Sequence, residues 1–528
     1  MSPDMEKPPA GETRGLKENP TSSAPILSPD GLNHSEQAQL IPLQSADLKQ
    51  HNGPASVTQH GDQAPAPQAP APAETKLVQE GAQIHRGQVR IAYMLADAGN
   101  GQLLHVYGLG WHYWNGRCWQ EDRTGHAKRA VLFVLADCYK RSANDPELRI
   151  DVRKCETAAG IEGVLKIASA LPEFAVTADQ LDADPYLLNV ANGTLDLHTM
   201  QLHPHDPANR MTRCTNAAWN PAAAGPTWEA CLTRWLPDAD ARGFLQRYAG
   251  LALAGKVLEH VLAILTGPGR NGKGVWYGAF SAALGNYAAA AEPDLFMHRE
   301  GAHPTGEMDL RGRRWVVVSE SDKDRRLAEA TMKRLTGGDM IRARRLYQDF
   351  TEFTPSHTAA LVTNHLPKVS GDDAAIWARI RVIPFDVVIP AEEQDPHLPE
   401  KLQLEMDAVL AWALTGWQAY QRQGLAAPAA VLAATDNYHR DADALGRFIS
   451  DECDTGPGYS TLTEPLHQAW NEWAAADGVA PMSKRAFGAA LEQRGYQARK
   501  GTGGVRIRAG IQLKIVNVFS FPNASNNQ

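Results

Sequence analysis

The sequence predicts an α/β protein with further domains on either side, and three observations carry that reading. Four short, continuously apolar runs suit strands covered on both faces: "VLAIL" (261–265), "WVVVS" (315–319), "TAALVTN" (358–364) and "RIRVIPF" (379–385). The first runs into the glycine-rich loop "GPGRNGK" (267–273) and then into the helical stretch "VWYGAFSAALGNY". Near the C-terminus, three helical segments precede a strand pair with a basic, glycine-rich tip, which is the layout of a winged helix.

Composition narrows the setting. A chain of 528 residues is too long for one hydrophobic core, so about two to four domains are expected. Hydrophobic residues make up 43% and charged residues 21%, the usual balance of a soluble protein. The formal charge of -8 excludes a protein that coats nucleic acid with its whole surface, because such a protein is basic. Any nucleic-acid contact must lie in a groove, a pore or a small domain. The 6 cysteines are scattered without a CxxC pair or a Cys/His cluster, which argues against structural zinc and a disulfide framework. The start, "MSPDMEKPPAGETRG", lacks the apolar centre of a signal peptide, and no apolar run spans a bilayer. A cytoplasmic protein without a membrane partner is the expectation.

In chain order, residues 1–80 are rich in Pro, Ala, Gln and Ser and are expected to be a disordered tail. Residues 81–225 read as an α+β helper domain. In it "LLHVYGLGWHYWNGRCWQED" alternates around Gly and Asn-Gly turns as a strand pair, 126–172 is helical, and "PYLLNVANGTLDLHT" (185–199) reads as strand, Asn-Gly turn and strand. Trp111, Tyr113, Trp114 and Trp119 are read as the core of a small sheet in preference to a base-stacking surface. Residues 226–395 hold the α/β core, 396–445 an amphipathic helical connector, 446–515 the winged helix and 516–528 a flexible tail. In the winged helix, "SKRAF" is placed to enter the major groove, with Arg494, Arg499, Lys500, Arg506 and Arg508 as positive charge around the wing.

The chemistry starts at Gly267-Pro268-Gly269-Arg270-Asn271-Gly272-Lys273, followed by Gly274 and Val275. It fits G-x-x-x-x-G-K between a buried strand and a helix, where backbone N–H groups and the helix N-terminus attract phosphate and Lys273 reaches its charge. Gly274 stands where such loops usually carry a Ser or Thr hydroxyl for Mg2+; a water can take that place, since the ion keeps several. The second apolar run leads into Glu320, with Asp322 just beyond, an acid suited to hold the metal shell or polarise a water. The third ends in Asn364, suited to contact a terminal phosphate, and the fourth opens with Arg379 and Arg381.

These features together resemble the superfamily 3 helicases, specifically the helicase half of phage, plasmid and poxvirus-type primase-helicases. The resemblance runs through "LLNVANGTLDL", "GPGRNGKGV", "RGRRWVVVSESD" and the stretch from "ATMKRLTGGDMIRARRLYQDFTEF" to "RIRVIPF", over roughly residues 85 to 515. It implies an AAA+-like ATPase, hexameric as a ring, that uses ATP and Mg2+ and moves 3′ to 5′ on single-stranded or forked DNA. By the same resemblance Lys273 is the phosphate-loop lysine, Glu320 the Walker B acid and metal residue, and Asn364 the sensor. Arg379 is the finger that reaches a neighbouring subunit's ATP. Lys333, Arg342, Arg344, Arg345 and Tyr347 fall in the motif where the family places a DNA-touching hairpin. No primase segment is recognised, so a separate primase or other replication protein is the expected partner. The rival reading is an ATP-switched initiator that assembles on DNA without translocating.

Overall fold

The structure, a computed structural model, describes residues 81–99, 101–292, 295–298, 304–319, 325–344, 350–369, 373–501 and 505–514. The predicted tails at 1–80 and 516–528 lie outside the described residues, as does the whole of the separate unit Met1–Gln63.

The N-terminal part begins with α1 (Gly87–Gly99), β1 (Leu103–Val106), β2 (Gly110–Trp114) and β3 (Trp119–Glu121). Three helices follow, α2 (His126–Arg141), α3 (Pro146–Cys155) and α4 (Ala158–Ala168), and then the short β4 (Ala175–Val176). Asp145 caps α3 by accepting the Leu148 N–H, with Pro146 at the first helical position, and Thr157 caps α4 by accepting the Gly160 N–H. The sheet runs β3-β2-β1-β4. The tryptophan cluster packs as its core: Trp119 is buried against Trp114, and Trp111 meets Phe174 edge to face.

The next three strands, β5 (Leu187–Val190), β6 (Gly193–Asp196) and β7 (Leu202–His203), form an antiparallel sheet of their own. The turn falls at Ala191-Asn192, one residue ahead of the expected Asn-Gly, because Gly193 already pairs with Val190. A side-chain carbon at Gly193 would stand 2.3 Å from the His203 carbonyl oxygen, so the close approach of β7 demands glycine there. This sheet does not share a core with α1–α4. Leu188, Val190, Leu195 and Leu197 instead pack with α5 (Pro226–Trp235) and α6 (Ala239–Leu251).

The central sheet comprises β8 (Leu262–Thr266), β9 (Ala288–Ala291), β10 (Trp315–Ser319), β13 (Thr358–Val362) and β14 (Ile380–Pro384). Between its strands lie α7 (Lys273–Leu284), α8 (Glu329–Leu335), the hairpin of β11 (Ile341–Ala343) and β12 (Thr351–Phe353), and the single turn α9 (Ala374–Trp377). All pairings in the five-stranded sheet are parallel and the order is β14-β8-β13-β10-β9. Alternate residues serve opposite faces, as the period of a strand requires. Ala263, Leu265, Val317 and Ile383 pack with α7 on one side, while Leu262, Ile264, Val316, Val318 and Val382 pack with α8 on the other. Burial on both faces is why these strands read as unbroken apolar runs. β9, four alanines at the edge, carries no such signal.

The helices after the sheet are α10 (Leu398–Leu404), α11 (Met406–Gln423) and α12 (Ala429–Ala442). α11 is a buried partner of α6 and no mere connector: a side-chain carbon at Gly250 would collide with the Trp417 backbone, and one at Gly416 with the Gln246 carbonyl. The last unit holds α13 (Ala444–Glu452), β15 (Cys453–Leu462), α14 (Thr463–Ala476), α15 (Lys484–Gln493), β16 (Ala498–Lys500) and β17 (Arg506–Leu513). The three expected helices and the hairpin are present. β15 is an addition: it inserts after the first helix and makes a three-stranded antiparallel sheet in the order β15-β17-β16.

Candidate functional site

The loop from Gly267 to Gly272 leaves the carboxyl end of β8 and enters α7 at Lys273. Its course needs residues without side chains at two points. Gly272 has φ 87° and a side-chain carbon there would meet the Trp235 ring at 2.3 Å; Gly267 has φ 142° and would meet the Phe385 carbonyl oxygen at 2.2 Å. Arg270 also adopts a positive φ of 61°. At Gly269 and Gly274 an added carbon meets nothing within 4 Å, so both open onto free space. No side chain of the Gly272 cap closes the start of α7, and the helix N-terminus stays electropositive and available to an anion.

Lys273 and Asn271 are both buried, at 4% and 3% exposure, in a protein whose lysines are mostly at the surface. The Lys273 ammonium donates to the carbonyls of Gly267 (2.8 Å) and Pro268 (3.3 Å), to Asn271 Oδ1 (3.1 Å) and to Asn364 Oδ1 (3.1 Å). Burial pulls its pKa down to about 8, with the charge of Asp386 opposing the shift. Lys273, at the start of α7, and Asn364, just beyond the end of β13, thus meet at one point. Gly269, Arg270, Asn271, Gly274, Tyr277, Ser319, Thr363 and Asn364 line a cavity of about 240 Å3 around it. The Thr363 hydroxyl is committed to the His365 carbonyl at 2.6 Å, which leaves the Asn364 amide as the polar group on that wall. A loop of open glycine positions, one buried ammonium and a helix N-terminus suits a phosphate group. The space over Gly274 has room for a metal's water. Among the described residues no group of three or more His, Cys, Asp or Glu is arranged to hold a metal ion.

Glu320 and Asp322 lie outside the described residues; Ser319, the last residue of β10, lines the cavity. Arg379 stands at the opposite edge of the sheet, where its carbonyl accepts the N–H of Leu262, the first residue of β8. On the order of 16 Å of strand separates it from the loop. Its guanidinium reaches only the Ala375 carbonyl (3.1 Å), and its buried Nε has no hydrogen-bond partner among the described residues. Arg381 is turned to the Ala378 and Ile380 carbonyls.

The expected DNA-touching hairpin exists as β11–β12. Arg342 and Arg344 are exposed and lie over the Phe350 ring at 5.0 and 4.7 Å, while Arg345 and Tyr347 fall outside the described residues. Lys333 is on α8, ion-paired with Asp373, and is not part of the hairpin. In the C-terminal unit Arg499, Lys500 and Arg506 are exposed, and Lys500 pairs directly across from Arg506. Arg508 and Arg494 are not wing charges. Arg508 is buried and bridged to Glu492 at 2.8 Å, and Arg494 is bridged to Asp443 at 2.5 Å. Sequence spacing alone does not separate these two from their exposed neighbours, since ion pairing depends on how α13, α15 and β17 meet.

Asn271 was expected as one of the phosphate-loop residues; its side-chain bonds to the Lys273 ammonium and the Phe385 carbonyl were not foreseen from the sequence.

Comparison with known proteins gives partial matches. Residues 92–237 match the family described as "D5 N terminal like", and residues 265–379 match a "Family of unknown function (DUF5906)". The "Putative helicase 022R" of Frog virus 3 is 27% identical over 263 residues, covering 46% of this chain and 27% of the viral one. The "Putative primase C962R" of African swine fever virus (strain Badajoz 1971 Vero-adapted) is 24% identical over 349 residues, covering 60% of this chain and 36% of the viral one. This chain therefore spans about a third of the length of such relatives or less. Among solved structures, the apo A form of the NrS-1 C terminal region aligns with a TM-score of 0.45 at 10% identity, over 77% of this chain and 96% of that one. The family and viral sequence matches support a distant likeness to D5-like primase-helicases. Among the described residues no helix is long and apolar enough to cross a membrane.

Proposed function

We propose that this chain is an ATP-hydrolysing DNA helicase of the superfamily 3 type, working as a ring in the replication of a phage, prophage or plasmid. The observation that carries the reading is the meeting of Lys273 with Asn364 at 3.1 Å in a cavity rimmed by the glycine loop and the end of β10. Lys273 and the start of α7 hold the phosphates of ATP, and Asn364 marks the terminal phosphate. Lys273 would release its loop carbonyls to do so, exchanging neutral acceptors for charged ones. Mg2+ bound with the nucleotide would neutralise phosphate charge, with Glu320 as its protein residue and water over Gly274.

The remoteness of Arg379 from its own loop supports a shared site, in which the arginine acts on nucleotide held by the adjacent subunit. A hexameric ring with 3′ to 5′ movement on a single strand, served by a separate primase, extends the same reading. Arg342 and Arg344 over Phe350 offer charge beside a ring, the combination that grips single strands without regard to sequence. The test is ATP turnover with single-stranded DNA and Mg2+, together with strand displacement from a fork. Turnover is expected to vanish in Lys273→Ala and displacement to vanish in Arg379→Ala. Turnover no higher than in Lys273→Ala would sink the proposal. DNA binding and ring assembly without displacement would favour the nucleotide-switched initiator.

A further inference from the structure

Asn271 is almost fully buried, yet its carboxamide is satisfied at both ends. Its Nδ2 donates to the Phe385 carbonyl at 2.7 Å. Its Oδ1 accepts from the Lys273 ammonium at 3.1 Å and, more weakly, from the Lys273 backbone N–H at 3.4 Å. The two ends cannot be exchanged. A carbonyl only accepts and an ammonium only donates, so the partners themselves fix which way the amide faces.

The Phe385 carbonyl belongs to the residue that follows β14, and two further bonds bind the same segment to the loop. Phe385 N–H donates to the Thr266 carbonyl at 2.8 Å, and Ile389 N–H donates to the Arg270 carbonyl at 2.8 Å. Gly267 lies so close that any side chain there would strike Phe385. The loop therefore rests on the far end of the strand that Arg379 opens. β14 is held in register with β8 from Ile380 to Pro384, so a continuous hydrogen-bonded strand joins the loop's support to Arg379.

We propose that Asn271 is a positioning residue with two duties: its oxygen steadies the Lys273 ammonium, and its NH2 clasps the loop to β14. Nucleotide binding and the strand leading from Arg379 then move as one. The inference rests on the nucleotide-binding reading above and adds a residue and a linkage to it. Among the described residues, Asn271 is the loop side chain with hydrogen bonds to both Lys273 and Phe385.

The test uses the full chain with a fluorescent ATP analogue and Mg2+, measuring affinity and hydrogen exchange over residues 379–389. In the wild type, nucleotide is expected to slow exchange in that segment. Asn271→Ala is expected to weaken binding about tenfold, from the loss of two buried hydrogen bonds, and to abolish the protection even at saturating nucleotide. Asn271→Asp keeps the shape and the acceptor for Lys273 but sets oxygen against the Phe385 oxygen, so it too should lose protection. If Asn271→Ala does not fold, the isosteric Asp variant decides alone. Protection preserved in these variants, or absent from the wild type, overturns the clasp to β14. Affinity within twofold of wild type in Asn271→Ala overturns the duty towards Lys273. Lys273→Ala separates the two levels. Undiminished binding there defeats the nucleotide reading itself, whereas lost binding there with wild-type Asn271 variants defeats only this inference.

Discussion

The two ends of the parallel sheet are finished in different ways. At the carboxyl end, the glycine loop, Lys273, Asn271 and Asn364 form a network in which the three N–H donors of the ammonium share four acceptor oxygens within one chain. At the amino end, Arg379 has one carbonyl contact and a buried Nε with no partner among the described residues. A buried donor left over is costly, roughly 1–3 kcal/mol. The contrast is between an end whose polar groups are paired with one another and an end where a guanidinium donor is unpaired among the described residues; under the proposed function that arginine serves nucleotide on a neighbour.

That contrast can be broken most sharply with two alanine variants. Lys273→Ala should abolish both nucleotide binding and turnover, measured by a fluorescent analogue and by phosphate release. Arg379→Ala should cut turnover by about a thousandfold or more while leaving affinity within twofold, as removal of an arginine finger does. An Arg379→Ala protein that loses affinity as well would mean that the arginine serves its own chain's loop.

Titration sharpens the comparison less drastically. Lys273 is charged below about pH 8, and phosphate binds that charged form. Affinity should be constant below pH 7 and weaken about tenfold per pH unit above 8, until the higher pKa of the bound lysine is reached. Asn364→Ala should leave that profile in place, because burial is its main cause. The same depressed value means that the ligand-free fold holds fewer protons than the unfolded chain between about pH 8 and 10.5. This group alone thus favours folding as pH rises through that window.

The smallest effects belong to the C-terminal unit. Replacing Arg499, Lys500 and Arg506 together by alanine should reduce the slope of log affinity for duplex DNA against log salt by about 3, without a change in melting temperature. Arg508→Ala should do the reverse: destabilise the unit by about 1–3 kcal/mol, seen as a lower melting temperature, with the salt slope little altered.

How much of this was legible in the sequence follows from where each signal lives. The four apolar strands and the glycine loop were, because burial on both faces and an unusual backbone course select residue types locally. β9 was not, since four alanines favour no particular element. β15 was missed because "CDTGPGYSTL" carries the Gly-Pro-Gly of a turn; its pairing with β17 shifts register there, between Thr455 and Ser460, and resumes. Lys273 was recognised by the glycine-loop pattern and Asn364 by its place at a strand end, but their contact is a product of strand order. Asn271, Arg494 and Arg508 do their work through partners far along the chain. No local pattern records such partners.

The β5–β6 hairpin has a practical consequence for dissecting this chain. It sits ahead of the helices that open the α/β part, yet Leu188 and Leu195 pack with Trp228 and Phe244, and the Leu197 carbonyl accepts from Trp417 Nε1 at 2.8 Å. Arg314, buried beside Tyr287, donates to the Leu187 carbonyl at 2.5 Å. A fragment cut at residue 226 would expose the apolar surface that the hairpin covers and take from Arg314 its Leu187 acceptor, leaving it the Leu253 carbonyl. A cut upstream, between β4 and β5, keeps the hairpin with its core but severs the bonds from Trp119 to the Pro207 and Met211 carbonyls and from Asn189 to the Arg117 carbonyl.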